Sequence, residues 1–242
     1  IEGYEKGSIR TAEAATLYSI IRECNYKNIL DIGTGKGFSA LWLCQALYDN
    51  EIFEGYVDSI DINKNFNENF FKQFKLEQFF NFNQGSSSDI LPKLDKQYDF
   101  VLIDGEHSYI QSKQDFVNVF SKLKVGGICA FHDIYSRPHL KSGPCDVLQE
   151  IEEQNIGKVV YFGADIFDYF NFEEDIKDAE RIAKKWEQHN YSYVKRGWNP
   201  KCLMAIFIKE NENITMKIEE NNFISPQNIE EAYMKEWMDG ET

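Results

Sequence analysis

The sequence lacks any apolar run long enough to cross a bilayer, and no basic, apolar and small-residue leader opens it. Its five cysteines, at positions 24, 44, 129, 145 and 202, contain no close pair with metal-ligand spacing. These absences argue against a transmembrane protein and against a cysteine-ligated metal site. We therefore expect a soluble, cytoplasmic protein with reduced thiols.

Positive charge is also scarce. The chain has 26 Lys and Arg against 40 Asp and Glu, which gives a formal net charge of −14. A surface with this charge repels phosphate backbones and anionic lipids. We therefore expect neither a nucleic acid nor a membrane as partner.

What the sequence does contain is a regular alternation of strand and helix patterns. An amphipathic helix over residues 9–25 precedes five strand-helix repeats, and the core of the fold runs from 28 to 162. The fifth strand is predicted over 128–132, after a turn at Gly126 and Gly127. A helical insertion at 173–189, a late reversed strand at 203–209 and a peripheral tail at 210–242 complete a single domain over 1–242. The alternation predicts an α/β fold with a doubly wound, mostly parallel sheet and helices on both faces.

Three glycines, Gly33, Gly35 and Gly37, interrupt the transition from the first strand to the following helix. Glycines allow a sharp turn there, and the free N–H groups of the helix start then face a ligand. Taken alone, the pattern also fits a nicotinamide dinucleotide site or a turn without a ligand. Asp31 before the turn suits the ammonium of S-adenosylmethionine better than a pyrophosphate, and Asp61 at the end of strand two suits the hydroxyls of a ribose.

Several sequence motifs extend this pattern. In their order along the chain they are ILDIGTGKGFSALWL, VDSIDI, QGSSSDILPKL, YDFVLIDGEHSY and KVGGICAFHDIY. Over about residues 8–135 the chain resembles the class I S-adenosylmethionine-dependent methyltransferases. Within that class it is similar to the catechol and caffeoyl-CoA O-methyltransferases, and more closely to the sugar and macrolide O-methyltransferase group. The resemblance implies a Rossmann-like sheet of seven strands with a reversed last strand.

The resemblance also implies a cofactor site. Asp31 and the glycine loop would hold the methionine part, Ser39 its carboxylate and Asp61 the ribose, while Gly85, Ser86 and Ser87 would edge the adenine. The cofactor-binding residues expected in full are Asp31, Gly33, Thr34, Gly35, Gly37, Ser39, Asp61, Ile62, Gly85, Ser86, Ser87 and Asp104.

A second group of polar residues closes strands four and five. Asp104, His132 and Asp133 end neighbouring strands, and they could share one divalent cation. In the resembling family, acids at these positions hold Mg²⁺, which binds the acceptor hydroxyl and lowers its pKa. An acid is usual at the position of His132, however, and imidazole is a poorer ligand for Mg²⁺ than for Mn²⁺, Fe²⁺ or Zn²⁺.

The catalytic base therefore has more than one candidate. Glu106 matches the position where sugar O-methyltransferases carry their general base. In a metal-free enzyme, His107 or His132 would take the hydroxyl proton directly. A third interpretation gives His132 only a structural hydrogen bond at its strand end.

The favoured function is transfer of a methyl group from S-adenosylmethionine to a hydroxyl of a sugar, glycan or small metabolite, assisted by Mg²⁺ or Mn²⁺. A metal-independent methyltransferase is the first alternative. A nucleotide-binding Rossmann module, either a nicotinamide oxidoreductase or an inactive scaffold, is the second. The sequence leaves a homo-oligomer open.

Overall fold

The computed structural model describes residues 9–134, 143–162 and 204–212. Six helices lie in these ranges: α1 (Thr11–Cys24), α2 (Phe38–Asp49), α3 (Glu68–Gln73), α4 (Ser87–Ile90), α5 (Tyr109–Phe120) and α6 (Pro144–Glu153). Seven strands accompany them: β1 (Asn28–Ile32), β2 (Tyr56–Asp61), β3 (Phe80–Gln84), β4 (Tyr98–Ile103), β5 (Leu123–Phe131), β6 (Lys158–Tyr161) and β7 (Ala205–Ile208). Short 3₁₀ turns at Glu77–Phe79 and Leu91–Lys93 precede β3 and follow α4.

The strands form one sheet in the order β3-β2-β1-β4-β5-β7-β6. Strands β1 to β5 pair with one another in parallel, and β7 runs antiparallel to both β5 and β6. The predicted Rossmann-like fold with a reversed last strand is confirmed. In such a sheet the strand order reverses at β1 and β4, and ligands bind at the carboxyl ends of the strands there.

Helices cover both faces of the sheet because successive side chains of a central strand point to opposite sides. Along β1, Ile29 packs in the core cluster that contains Leu17 of α1 and Leu43 of α2. The next residue, Leu30, belongs to the opposite cluster, with Phe116 of α5. These two cores hold the ends of β1 and β4 in fixed positions, and the site is built on those ends.

Strand β5 begins five residues earlier than predicted, at Leu123 instead of 128. Gly126 and Gly127 lie inside the strand, where the register with β4 shifts. Gly126 has a φ of 78°, and a Cβ on Gly127 would lie 2.8 Å from the Lys124 carbonyl oxygen. The glycines therefore form a bulge within the strand instead of the predicted turn before it.

The predicted helical insertion at 173–189 and most of the predicted tail at 210–242 lie outside the described residues. Within the described ranges, no helix is both long and apolar enough to cross a membrane.

Candidate active site

A cavity of about 800 Å³ opens at the carboxyl ends of β1, β2, β4 and β5. It extends from the glycine loop after β1 to the polar residues that close β4 and β5. All predicted site residues line it except Asp31 and Gly37. Its lining residues are Ile9, Arg10, Glu13, Ile32, Gly33, Thr34, Gly35, Lys36, Phe38, Ser39, Ile60, Asp61, Ile62, Asn63, Gly85, Ser86, Ser87, Asp104, Gly105, Glu106, His107, Gln111, His132 and Asp133.

The glycine loop is fixed to both neighbouring strands. The backbone N–H of Gly33 donates to the Ile60 carbonyl of β2 at 2.9 Å. Gly33 has a φ of 100°, and a Cβ there would lie 2.0 Å from the backbone oxygen of Asp104. Only glycine fits so close to β4. The loop leads into α2, whose first N–H groups have no partner within the helix and face the cavity.

Asp31 lies one layer behind the cavity and is fully buried. Its carboxylate accepts hydrogen bonds from Ser59 Oγ at 2.7 Å and from Ser39 Oγ at 3.2 Å. Burial raises its pKa to about 7, although the bond from Ser59 opposes that shift. Ser39 lines the cavity and lies between it and the Asp31 carboxylate.

Asp61 lies at the cavity rim with both oxygens oriented. Oδ2 accepts from the Gly35 N–H and Oδ1 accepts from the Asn63 N–H, each at 2.8 Å. A carboxylate oxygen has a further lone pair, so each can still accept from a ligand hydroxyl. The carboxylate thus combines a fixed orientation with two free acceptor positions.

The far end of the cavity is formed by Ile62 and by the loop after β3. Ile62 is 64% exposed, although it is a large apolar side chain. Gly85, with a φ of 153°, leads to Ser86, whose side chain caps α4 by accepting from the Asp89 N–H. An exposed apolar face opposite a rim of hydroxyl and N–H groups suits a flat, polar-edged ring.

His132 is held between carboxylates at the opposite end. Its Nε2 atom lies 3.0 Å from Glu13 Oε2, and its Nδ1 atom lies 2.9 Å from Asp104 Oδ1 and 3.5 Å from Asp133 Oδ1. Burial by itself would lower the pKa of this imidazole. The charges of Asp104 and Asp133, with the contacts to Asp104 and Glu13, raise it well above its usual value. The charged form of His132 is therefore favoured, and its side-chain partner on α1 is a carboxylate instead of the backbone.

His107 and Glu106 occupy different environments on the loop after β4. His107 Nε2 lies 3.4 Å from Asp133 Oδ2, and the imidazole is about one-third exposed to the cavity. Glu106 is turned toward its own loop, where its two oxygens accept from the backbone N–H and the hydroxyl of Ser108 at 3.0 and 2.5 Å. Ser108 in turn caps α5. Of these two predicted bases, Glu106 is the more exposed, but both of its oxygens are engaged by Ser108, whereas His107 Nε2 faces Asp133.

The side chains predicted to hold a metal lie together, but in the described part of the chain no three His, Cys, Asp or Glu side chains are arranged to hold a metal ion. The ring nitrogens of His132 lie against Glu13 Oε2 and Asp104 Oδ1. The predicted metal site is not seen.

Glu13 and Gln111 are among the cavity-lining residues that were not predicted from the sequence. Glu13 reaches His132 from α1, and Gln111 lines the cavity from the first turn of α5. The signal for Glu13 was its register: it lies four and eight residues before the apolar Leu17 and Ile21, on the buried stripe of the helix.

Residues 30–134 match the family described as a methyltransferase domain. This segment runs from within β1 to just past β5 and contains every predicted site residue. The predicted resemblance to the S-adenosylmethionine-dependent methyltransferases, and with it the predicted enzyme class, is confirmed over this part of the chain. No curated protein sequence matches the chain.

Solved structures agree on the fold. Rv0187 from MTB, a cofactor-bound structure, is 13% identical over 86% of this chain and 84% of its own, with a TM-score of 0.61. The O-methyltransferase TomG from Streptomyces achromogenes, in complex with SAM, is 17% identical over 65% of this chain and 76% of its own, with a TM-score of 0.53. An O-methyltransferase from Bacillus cereus, in complex with SAH, is 14% identical over 66% and 78%, with a TM-score of 0.52.

Proposed function

We propose that the methyltransferase domain at residues 30–134 belongs to an enzyme that transfers the methyl group of S-adenosylmethionine to a hydroxyl oxygen of a sugar, glycan or small metabolite. One observation carries the proposal: a single cavity joins the glycine loop and Asp61 to the exposed imidazole of His107. The first two suit a cofactor with a ribose and an amino-acid end, and the third suits deprotonation of an acceptor.

The cofactor seat follows from the donors and acceptors along the cavity. The methionine carboxylate would meet the N–H groups at the start of α2 and the hydroxyl of Ser39. The ribose hydroxyls would donate to Asp61, whose orientation is already fixed by the Gly35 N–H. The adenine would lie against Ile62, with Gly85 to Ser87 along its edge. TomG and the Bacillus cereus enzyme hold SAM and SAH on the same fold, which supports this choice of ligand.

The reaction is an in-line displacement. The acceptor oxygen forms a bond to the methyl carbon, the carbon–sulfur bond breaks, and its electron pair neutralises the sulfonium to give S-adenosylhomocysteine. The acceptor proton must leave, and we assign it to His107. An imidazole nitrogen can accept a proton, and the Asp133 carboxylate, 3.4 Å from Nε2, would interact favourably with the positive charge that forms. Glu106 is the weaker candidate because both of its oxygens already accept from Ser108.

The residues do not fit the predicted divalent cation as they are arranged. His132 has its Nε2 on Glu13 and its Nδ1 beside Asp104, so a cation between Asp104 and Asp133 would have to displace the imidazolium. A positive charge on His132 offsets only part of the negative charge of these carboxylates, but the imidazole ring occupies the space between them and Glu13. We therefore propose a metal-independent reaction, and no step is assigned to a metal.

The acceptor class follows from charge. The catalytic end of the cavity carries Glu13, Asp104, Glu106 and Asp133 against the two histidines, which favours a neutral hydroxyl compound over an anionic one. The net charge of −14 supports the same choice and disfavours nucleic acid.

Calorimetry of the full chain with S-adenosylhomocysteine and with NAD tests the cofactor. We expect binding of the first and none of the second, and a chain that binds only NAD would refute the proposal. Methyl transfer from labelled S-adenosylmethionine to a panel of sugars, phenols and glycans then tests the reaction. Activity that survives chelation by EDTA supports the metal-independent form, whereas activity lost with EDTA and restored by Mg²⁺ or Mn²⁺ would support the metal-assisted form.

A further inference from the structure

Gln111 occupies the third position of α5 and lines the cavity beside Ser87. Nothing in the proposed reaction uses it. Its side-chain amide has two different ends: the nitrogen Nε2 donates hydrogen bonds, and the oxygen Oε1 accepts them. The end that faces the cavity determines which ligand groups fit there.

The surroundings of Gln111 fix the direction of this amide. Nε2 lies 2.9 Å from Asp115 Oδ1, 3.1 Å from Ser87 Oγ and 3.3 Å from Ser88 Oγ. The Asp115 carboxylate can only accept, so the amide nitrogen must face it. Oε1 is then turned away from these three oxygens, and no described residue donates a hydrogen bond to it.

Asp115 is placed to hold this arrangement. It is completely buried behind the cavity wall, one helical turn after Gln111. Its second oxygen, Oδ2, has no hydrogen-bond partner among the described residues and lies 3.8 Å from the point where a Cβ on Gly105 would stand. A buried carboxylate that is only half satisfied is costly, which indicates a role beyond packing.

We propose that Gln111 Oε1 accepts a hydrogen bond from the 6-amino group of the cofactor's adenine, and that Asp115 is the positioning residue that keeps this oxygen toward the ligand. The inference rests on the proposed function, because it requires the adenine to lie between Ile62 and the loop at Gly85 to Ser87. This role makes Gln111 the residue that determines which purine base the cofactor site accepts. A purine with an oxygen at position 6 would place that oxygen, a hydrogen-bond acceptor, against Gln111 Oε1, which is also an acceptor.

The experiment compares two ligands by calorimetry on the full chain. S-Adenosylhomocysteine carries the 6-amino group, and S-inosylhomocysteine carries an oxygen in its place. We expect the wild-type chain to prefer the first by about tenfold or more, since the second leaves Oε1 facing another acceptor. In Gln111→Leu, the affinity for S-adenosylhomocysteine falls by about five- to tenfold and the preference disappears.

Two further variants sharpen the comparison. Asp115→Asn leaves Gln111 in place but gives it a partner that can donate as well as accept, so the amide can turn and the preference for the 6-amino ligand falls. Gln45→Leu is the matched control: Gln45 Nε2 also donates to an aspartate four residues on, Asp49, at 2.9 Å, on the outer face of α2. It should bind both ligands as the wild type does.

A preference that persists in both Gln111→Leu and Asp115→Asn would overturn the assignment, as would a wild-type chain that binds the two ligands equally. Those outcomes differ from failure of the proposed function, in which the wild-type chain binds neither ligand. Circular dichroism spectra of each variant show whether it is folded, and if Gln111→Leu is not, Asp115→Asn gives an independent result.

Discussion

His132 Nε2 lies 3.0 Å from Glu13 Oε2, a contact between residues 119 positions apart in sequence. It joins the end of β5 to the first turn of α1, and Glu13 is only 1% exposed. The same carboxylate accepts from the Arg10 N–H at 2.7 Å, so it also caps its own helix. One side chain therefore attaches α1 over the catalytic end of the cavity.

Replacement of Glu13 by Gln should show how much this contact contributes to the stability of the fold. The variant leaves the buried imidazolium of His132 with one charged partner fewer, and we expect the free energy of unfolding to fall by about 2–3 kcal/mol. Urea denaturation measures it. Glu23→Gln, on the exposed side of the same helix, is the control and should change the stability by less than about 0.5 kcal/mol. Equal stability of the two variants would show that His132 does not depend on Glu13.

Replacement of His107 by Gln should separate catalysis from cofactor binding. We expect turnover to fall by about 100- to 10,000-fold, because the acceptor proton loses its base. The affinity for S-adenosylhomocysteine should stay within about twofold, since no proton moves on binding. Steady-state kinetics and calorimetry give the two values. Glu106→Gln is the matched variant one residue away, and a larger loss of turnover there would make Glu106 the base.

Replacement of Asp61 by Asn should weaken cofactor binding without changing the fold. The amide nitrogen that replaces one oxygen cannot accept from a ribose hydroxyl, so we expect about a 10- to 100-fold loss of affinity for S-adenosylhomocysteine. Asp49→Asn, at the outer end of α2, should bind normally. If Asp61→Asn also binds normally, the ribose lies elsewhere in the cavity.

The buried carboxyl of Asp31 predicts a dependence of stability on pH. Burial raises its pKa from 3.8 to about 7, so the folded chain holds this proton more tightly than the unfolded chain does. The resulting stabilisation is fully present below about pH 4 and is lost as the pH rises through 7. The free energy of unfolding of the ligand-free wild type, measured relative to Asp31→Asn, should therefore decrease between pH 5 and pH 8. A constant difference across this range would contradict the buried, protonated state.

Cofactor binding should show the opposite trend. S-Adenosylmethionine carries an ammonium and a sulfonium, which an ionised Asp31 attracts and a neutral one does not. We expect the affinity to increase from pH 6 to pH 8 in the wild type and to change less in Asp31→Asn. Titration calorimetry at several pH values measures the two curves, and parallel curves would remove Asp31 from the binding site.

Most of the fold was predictable from the sequence, and most of the residues predicted to bind the cofactor line one cavity. The positions of β1 and β4 follow from short apolar runs, and Gly33, Asp61 and Gly85 come directly after strands, where the fold places ligand-binding residues. Local patterns of this kind need no knowledge of distant contacts. The early start of β5 was missed because Gly126 and Gly127 read as a turn, while backbone hydrogen bonds to Lys209 hold them inside the strand.

The catalytic end was less predictable because its residues are defined by contacts between distant elements. His132 looked like a metal ligand while only its strand was considered, and Glu13 of α1 changes that interpretation by supplying a partner from another part of the chain. Asp31 reads as a direct ligand contact in the sequence, yet Ser39 lies between it and the cavity. Gln111 gave a weak local signal, an acid four residues later on the same helix, which also occurs at ordinary surface positions such as Gln45.

Gly33 touches β4 so closely that a Cβ would stand 2.0 Å from the backbone oxygen of Asp104. Any side chain at position 33 would displace the strand end that carries Asp104 and, three residues on, His107. A substitution at Gly33 would therefore impair proton transfer as well as cofactor binding. A survey of functional variants would rank Gly33 among the catalytic positions, although it contributes no atom to the chemistry.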